Sequence, residues 1–260
     1  MTSARHATPR RTRAWLAAGL ASVALLLGGC VYLRLLELKR QLADFDRYFT
    51  LRTDVGATMT FLDPVLLTDD LRWIGVTPES TKKIGTAERW AVRWVKQLPA
   101  GMAEETPYDI EVEMFFTRGK LSRVVIPERY FAFVPKPLFF GVLRSLGGAK
   151  IDQAKRSLEA NLSDEASRKL GNEVLASRPK LAKFGEMLGA PTSRRSEGDE
   201  TVIQYRYTPS QAGTKNGVFD MSFRFDSASG EMNRLQGRTP VGRINIDFVA
   251  RPKLSSAETK

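Results

Sequence analysis

The sequence predicts an α+β protein in which an N-terminal signal or anchor helix precedes two tandem helix plus three-stranded antiparallel sheet units joined by helices. Two observations predict this architecture: an apolar, uncharged stretch near the N-terminus, and strand-like alternation of apolar and polar residues in two similar copies. The predicted segments are a signal peptide at 1–29 (or an uncleaved anchor to 33), an amphipathic stalk helix at 30–49 that carries the domain off the membrane, a first unit at 50–135, connecting helices at 136–176, a second unit at 177–250 and a disordered polar tail at 251–260.

The N-terminal segment has the composition of an export signal. Four arginines and no acidic residue precede 20 uncharged residues from Ala14 to Leu33. A positive region followed by an apolar region is typical of secretory signals. The uncharged stretch contains the only cysteine of the chain, Cys30.

Leu27-Gly28-Gly29-Cys30 resembles the lipobox of bacterial lipoproteins. The resemblance implies cleavage before Cys30 and attachment of diacylglycerol and a palmitate-type acyl chain to this residue, with the domain facing the periplasm. Val31 stands where enteric lipoproteins of the inner membrane carry Asp, which favours the outer membrane. The alternative is an uncleaved anchor, because 20 apolar residues at about 1.5 Å each span a hydrocarbon core of roughly 30 Å.

Export and lipidation restrict the chemistry of the domain. Loss of residues 1–29 removes the only histidine, His6, and lipidation consumes the only cysteine. Histidine-based and cysteine-based nucleophilic catalysis, the common zinc sites and disulfides are therefore excluded. The formal charge falls from +11 to +7, since 36 basic residues then face 29 acidic ones. These bases are too scattered for a nucleic-acid site, so no nucleic-acid partner is expected.

An amphipathic helix is predicted from 31 to 48, directly after the signal. Its apolar residues recur at steps of three and four, as on one face of a helix. They are Leu35, Leu38, Leu42, Phe45 and Phe49. We interpret this helix as packed against its own domain; a coiled-coil dimer is the alternative.

The first unit combines a short helix with a strand meander. The helix is predicted from Thr68 to Ile74, with Gly75 at its end. Strands are predicted at 57–62, around Trp90, Val92 and Trp94, at 108–116 and at 121–126. Pairing of the second and third of these strands would place Arg89 and Arg93 opposite Glu111 and Glu113 on the exposed face.

The second unit repeats the spacing of the first. The matching pairs are Ile74-Gly75 with Leu188-Gly189, Pro78 with Pro191, Lys82-Lys83 with Arg194-Arg195, Trp90 with Ile203, and Gly119-Lys120 with Gly230-Glu231. Such self-similarity suggests two copies of one structural unit. Between them, 130–146 is the most apolar part of the exported chain. We interpret it as a cover for the sheets or as an exposed patch for lipid or a partner, with further helices at 150–162 and 178–188.

The second unit resembles the small SmpA/OmlA-type lipoproteins. The residues that carry the resemblance are Lys183 to Pro191, Ile203 to Tyr207, Phe223 to Asp226 and Gly230-Glu231. The resemblance implies helices on a three-stranded antiparallel sheet and a role in assembling outer-membrane β-barrel proteins. The chain departs from that family because it is longer, has two units and carries Trp in the first unit where the family pattern has Tyr.

The candidate chemical groups are weak. Asp69-Asp70 and the trio Asp109, Glu111 and Glu113 are the acidic groupings, and the trio shares one strand face that can hold calcium or act as an acid/base pair. Ion pairing with neighbouring arginines is the simpler interpretation. We therefore predict no catalytic residue, metal ligand or cofactor. The candidate contacts with a partner or an anionic surface are Lys82, Lys83, Arg194 and Arg195.

These features predict a lipid-anchored protein of the cell envelope. Its partners are the membrane and an envelope protein, and it acts as a non-catalytic interaction or assembly module. The alternative is an anchored extracytoplasmic hydrolase that uses carboxylates only, as glycosidases do with two acids roughly 5 to 9.5 Å apart.

Overall fold

A computed structural model describes residues 31–105, 107–145, 150–152, 157–159, 172–173, 178–211, 213, 216–240 and 242–248. The predicted signal peptide, Cys30 and the whole predicted tail fall outside these ranges. None of the helices within them combines the length and the apolar character that a bilayer crossing requires.

The described chain contains short helices and strands of 3 to 11 residues. The helices are α1 (31–43), α2 (Phe45–Tyr48), α3 (Thr68–Trp73), a 3-10 helix (Glu128–Ala132), α4 (Lys136–Ser145) and α5 (Leu181–Leu188). The strands are β1 (Phe49–Arg52), β2 (Ala57–Phe61), β3 (Ser80–Ile84), β4 (Ala87–Gln97), β5 (Ile110–Thr117), β6 (Lys120–Ile126), β7 (Lys150–Asp152), β8 (Ser157–Glu159), β9 (Ser193–Glu197), β10 (Glu200–Pro209), β11 (Phe219–Asp226), β12 (Met232–Thr239) and β13 (Gly242–Asp247).

The predicted fold class is wrong, because the strands form one large sheet instead of two three-stranded sheets. Eleven strands join in the order β1-β2-β6-β5-β4-β10-β11-β12-β13, with β3 also paired to β4 and β9 to β10. All of these pairs are antiparallel. The short helices pack onto this framework.

A seam of four residue pairs explains the difference. Residues Trp94 to Gln97 of β4 pair with Arg206 to Pro209 of β10. The edge strand β4 of the first meander is thereby hydrogen-bonded to the edge strand β10 of the second. Unpaired backbone groups at a strand edge favour pairing with another strand. Alternation of apolar residues identifies a strand and its buried face, but it does not say which distant strand will lie beside it.

The segment between α4 and α5 also differs from expectation. A helix was predicted at 150–162, yet its described parts are the strands β7 and β8, paired with Ile151 opposite Leu158. Apolar residues at 151 and 158 suit a hairpin register as well as a helix face. The helix predicted from 178 begins at Leu181, and the described part of the apolar segment 130–146 is divided between the 3-10 helix and α4.

Two apolar clusters form the core. The first joins α1 and α2 to the sheet through Leu42, Phe45 and Phe49, which confirms the packing of the amphipathic helix against its own domain. The second contains residues of the 3-10 helix, α5, β10, β11 and β12, and Phe184 of α5 lies 4.7 Å from Phe223 between ring centroids. Burying one such aromatic side chain contributes roughly 1.5–3 kcal/mol.

Candidate functional site

A cleft of about 550 Å³ lies between α5 and the segment formed by the 3-10 helix and the start of α4. Its apolar lining comes from both walls and includes Phe131, Ala132, Phe184 and Met187, with Pro135, Pro137 and Pro179. Concave apolar sites with a few polar groups are where proteins usually bind ligands or partner segments. We call this cleft the α5 groove.

Basic residues predominate at the rim of the α5 groove. Its charged lining residues are Lys136, Arg178, Lys180 and Lys183 against Glu128 and Glu186. Lys180 and Lys183 are exposed, and neither has an ion pair within the described ranges. The groove therefore combines an apolar surface with an excess of positive charge.

Arg178 fixes the N-terminal end of α5 onto β12. Its guanidinium donates to the backbone oxygen of Met232 at 2.5 Å, to Glu231 Oε2 at 2.9 Å and to Asn233 Oδ1 at 2.7 Å. The backbone N–H of Leu181 also donates to the oxygen of Gly230 at 2.8 Å. This wall of the groove is held by several directional bonds at its start.

Glu128 fixes the opposite wall. Its Oε2 accepts a hydrogen bond from the backbone N–H of Gly56 at 2.7 Å and one from Lys136 Nζ at 2.6 Å. Lys136 Nζ also donates to the backbone oxygen of Thr53 at 3.1 Å. The 3-10 helix and α4 are thereby tied to the β1–β2 turn.

A buried lysine holds the C-terminal end of α5. The side chain of Lys96 is 3% exposed, and its Nζ lies 2.5 Å from Glu104 Oε1 and 2.5 Å from the backbone oxygen of Leu188. An ammonium group is stabilised at a helix C-terminus, where unpaired carbonyls carry partial negative charge. Burial nevertheless lowers the pKa of Lys96, because desolvation outweighs the opposing effect of the hydrogen bond that its ammonium donates to Glu104.

Gly189 allows the end of α5 to approach this lysine. Its φ of +66° lies in the left-handed region. A Cβ at this position would stand 2.4 Å from Glu104 Oε1 and 2.6 Å from the ring of Tyr108. Glu104 Oε1 also accepts from the backbone N–H of Ala190 at 2.8 Å, and the Tyr205 hydroxyl donates to the Gly189 oxygen at 2.8 Å. We call Lys96, Glu104 and the C-terminal end of α5 the Lys96 cluster. Its role is structural, because the Lys96 ammonium and the Glu104 carboxylate both already bond to groups of the protein.

The basic pairs predicted as contact residues are not part of the groove lining and are not brought together. Lys82 and Lys83 lie on β3, and Arg194 and Arg195 lie on β9, with all four exposed. β3 pairs with residues 87–91 of β4, and β9 pairs with residues 200–204 of β10. The seam itself joins residues 94–97 of β4 to residues 206–209 of β10. The two pairs therefore lie past opposite ends of the seam.

The acidic trio is engaged by arginines, as the strand pairing predicted. Arg89 contacts Glu113 and lies 3.3 Å from Glu111, while Arg93 lies 2.5 Å from Asp109 instead of Glu111. The described part of the chain holds no group of three or more potential metal ligands.

Asp69 and Asp70 have different environments. The Asp69 side chain is 82% exposed, whereas that of Asp70 is 1% exposed and forms a two-point ion pair with Arg34 of α1. Sequence reasoning did not single out this ion pair or Lys96. Lys96 carried a usable signal, because it continues the inward-facing series of Trp90, Val92 and Trp94 on β4.

Comparison of the chain with family models, curated proteins and solved structures finds no match. The resemblance to the SmpA/OmlA-type lipoproteins therefore stays a prediction from the residues alone.

Proposed function

We propose that the protein is a lipid-anchored component of the cell envelope, facing the periplasm from the outer membrane, and acts as a non-catalytic interaction module. The observation that carries the proposal is the α5 groove, an apolar cleft with a basic rim. Each of its two walls is held in place by hydrogen bonds to the rest of the domain. Its partner is an envelope protein that inserts an acidic, apolar segment. The resemblance to SmpA/OmlA-type lipoproteins makes assembly of outer-membrane proteins the process to test first.

The groove favours binding of a segment over turnover of a substrate. Its two carboxylates are Glu128 and Glu186, and a carboxylate-only hydrolase would need both as an acid/base pair. Glu128 Oε2 is already engaged by Gly56 and Lys136. A carboxylate that holds the wall of a groove in this way is poorly placed to exchange protons with a substrate.

The anchor is tested by the mass of the N-terminal peptide of the protein extracted from membranes. We expect a chain that begins at Cys30 and carries acyl mass, and release of the protein from the membrane in Cys30→Ala without loss of folding. The described residues of the two core clusters all follow position 34. An unmodified peptide that still includes residues 1–29 would instead establish the uncleaved anchor.

The groove is tested with a photoreactive residue in place of Ala182, an exposed residue of its lining. In cells producing the full chain, we expect a discrete adduct with an envelope protein. Reversing the rim charge with Lys180→Glu and Lys183→Glu should weaken binding roughly two- to thirtyfold, if each lost pair contributes about 0.2–1 kcal/mol.

The matched control is Arg238→Glu with Arg243→Glu. It makes the same change in charge at exposed positions of β12 and β13, outside the groove lining. An adduct whose yield is unchanged by reversal of the rim, or that falls equally in both double variants, would contradict the proposed groove specificity.

A further inference from the structure

The start of α1 limits how far the domain can stand from its membrane. Cys30 precedes Arg34 by four residues, so their Cα atoms are at most about 14 Å apart even in an extended chain. Arg34 Nε and Nη2 each lie 2.6 Å from a carboxylate oxygen of Asp70. The Arg34–Asp70 ion pair therefore holds α3 beside the point where the chain meets the bilayer, for a lipidated Cys30 and for an uncleaved anchor alike.

Exposed apolar side chains surround this point. Trp73 and Ile74 follow Asp70 by one helical turn, and the backbone N–H of Ile74 donates to the Asp70 backbone oxygen at 3.0 Å. Their exposed fractions are 39% and 46%, and Leu33, next to Arg34 on α1, is 62% exposed. Tryptophan favours the interface between water and lipid, because its ring is apolar and its N–H is polar.

Basic side chains lie on the same side of the sheet. The Arg72 guanidinium lies 4.7 Å from the ring centroid of Trp90 on β4. Lys83 pairs across strands with Glu88, which shares a sheet face with Trp90. The side chains of Arg72 and Lys83 are 52% and 76% exposed, and they lie 2.9 Å from Asp69 and 3.9 Å from Glu88. Exposed pairs of this kind are weak, so anionic headgroups can compete for both cations.

We propose that Leu33, Arg72, Trp73, Ile74 and Lys83 form a membrane-contacting face, and that the domain lies with this face on the bilayer that holds its anchor. The proposal rests on the proposed membrane anchoring and adds a fixed orientation to it. The bilayer is the occupant because the described chain begins at residue 31, three residues before Arg34, which contacts Asp70 at this face.

The test uses the full chain from membranes, reconstituted into vesicles of equal parts phosphatidylethanolamine and phosphatidylglycerol. An environment-sensitive fluorophore is attached to Trp73→Cys or, as a second variant, Ile74→Cys. The control is Asn245→Cys, an exposed position on β13 at the other end of the sheet. The chain without an added cysteine corrects for any labelling of Cys30. Vesicle flotation is measured on the same samples.

We expect the chain to float with the vesicles, and the probes at 73 and 74 to show a blue shift and to be quenched by nitroxide-labelled lipid, while the probe at 245 shows neither. Flotation with all probes equally exposed to water would overturn the membrane-contacting face and leave the anchor intact. Failure to float would overturn the anchoring itself, and the orientation with it.

Discussion

Lys96→Met is expected to lower the free energy of unfolding by about 3 kcal/mol, because removing one member of a buried ion pair leaves its partner uncompensated. Glu104 would keep a largely buried carboxylate, 14% exposed, without its ammonium partner, and the Leu188 oxygen would lose its donor at the end of α5. Methionine has a similar volume, so the loss reports the charge more than a cavity. Denaturant unfolding of the full chain, followed by tryptophan fluorescence, measures the effect.

The matched control is Lys83→Met, since this lysine is 76% exposed and lies 3.9 Å from Glu88. It should change stability by less than about 1 kcal/mol. Adding Glu104→Gln to Lys96→Met should recover part of the loss, as expected for coupled neighbours. Equal losses in Lys96→Met and Lys83→Met would show that the Lys96 cluster does not hold α5.

The pH dependence of stability has a definite sign at Lys96. Its pKa is lowered by burial from the ordinary value of 10.5, so the unfolded chain binds more protons than the folded one between the two values. Unfolding free energy should therefore rise with pH across that window. In Lys96→Met, this contribution to the slope should disappear.

The sequence predicted the positions of the strands better than it predicted which strands pair. Alternation located β4 and its buried residues Trp90, Val92 and Trp94 correctly. The seam between β4 and β10 depends on two edges more than a hundred residues apart in the chain, as in the pair of Gln97 with Arg206. No local pattern encodes such a long-range pairing, so two similar meanders were interpreted as two separate sheets.

The repeated residues do mark equivalent local features within that one sheet. Gly75 and Gly189 both follow a short helix and both have positive φ. The basic pairs occupy short strands that form hairpins with β4 and β10. Spacing therefore predicted local turns and caps, which depend on a few adjacent residues, while the joining of the halves depends on tertiary contacts.

The α5 groove could not be predicted from the sequence, because it too depends on contacts between distant segments. Its walls come from residues 128–137 and 178–187, and each wall is positioned by distant partners such as Glu231 and Gly56. Helix start and end signals identified α5, but such local signals do not reveal which surface the helix will share a cleft with. Only the ion pairs of Arg89 could be derived from strand register in advance.

Asp70→Asn is expected to cost about 3 kcal/mol, because it removes the carboxylate of a pair in which the acid is almost fully buried. The Asp70 side chain is 1% exposed, and its Oδ2 also accepts the backbone N–H of Leu67 at 2.8 Å. Asparagine keeps an oxygen for that N–H, so the loss isolates the ion pair with Arg34. Hydrogen exchange over residues 31–43 should accelerate, because α1 loses its attachment to α3.

Asp69→Asn is the control at the neighbouring position. Its side chain is 82% exposed and pairs only with the exposed Arg72 within the described ranges, so its effect should stay within about 0.5 kcal/mol. In vesicles, Asp70→Asn should still float, but the fluorophore at 73 should lose its contact with lipid. The domain would then be attached to the vesicle by its N-terminal anchor alone. Unchanged hydrogen exchange in α1 and unchanged lipid contact at position 73 would mean that the Arg34–Asp70 pair does not set the orientation of the domain.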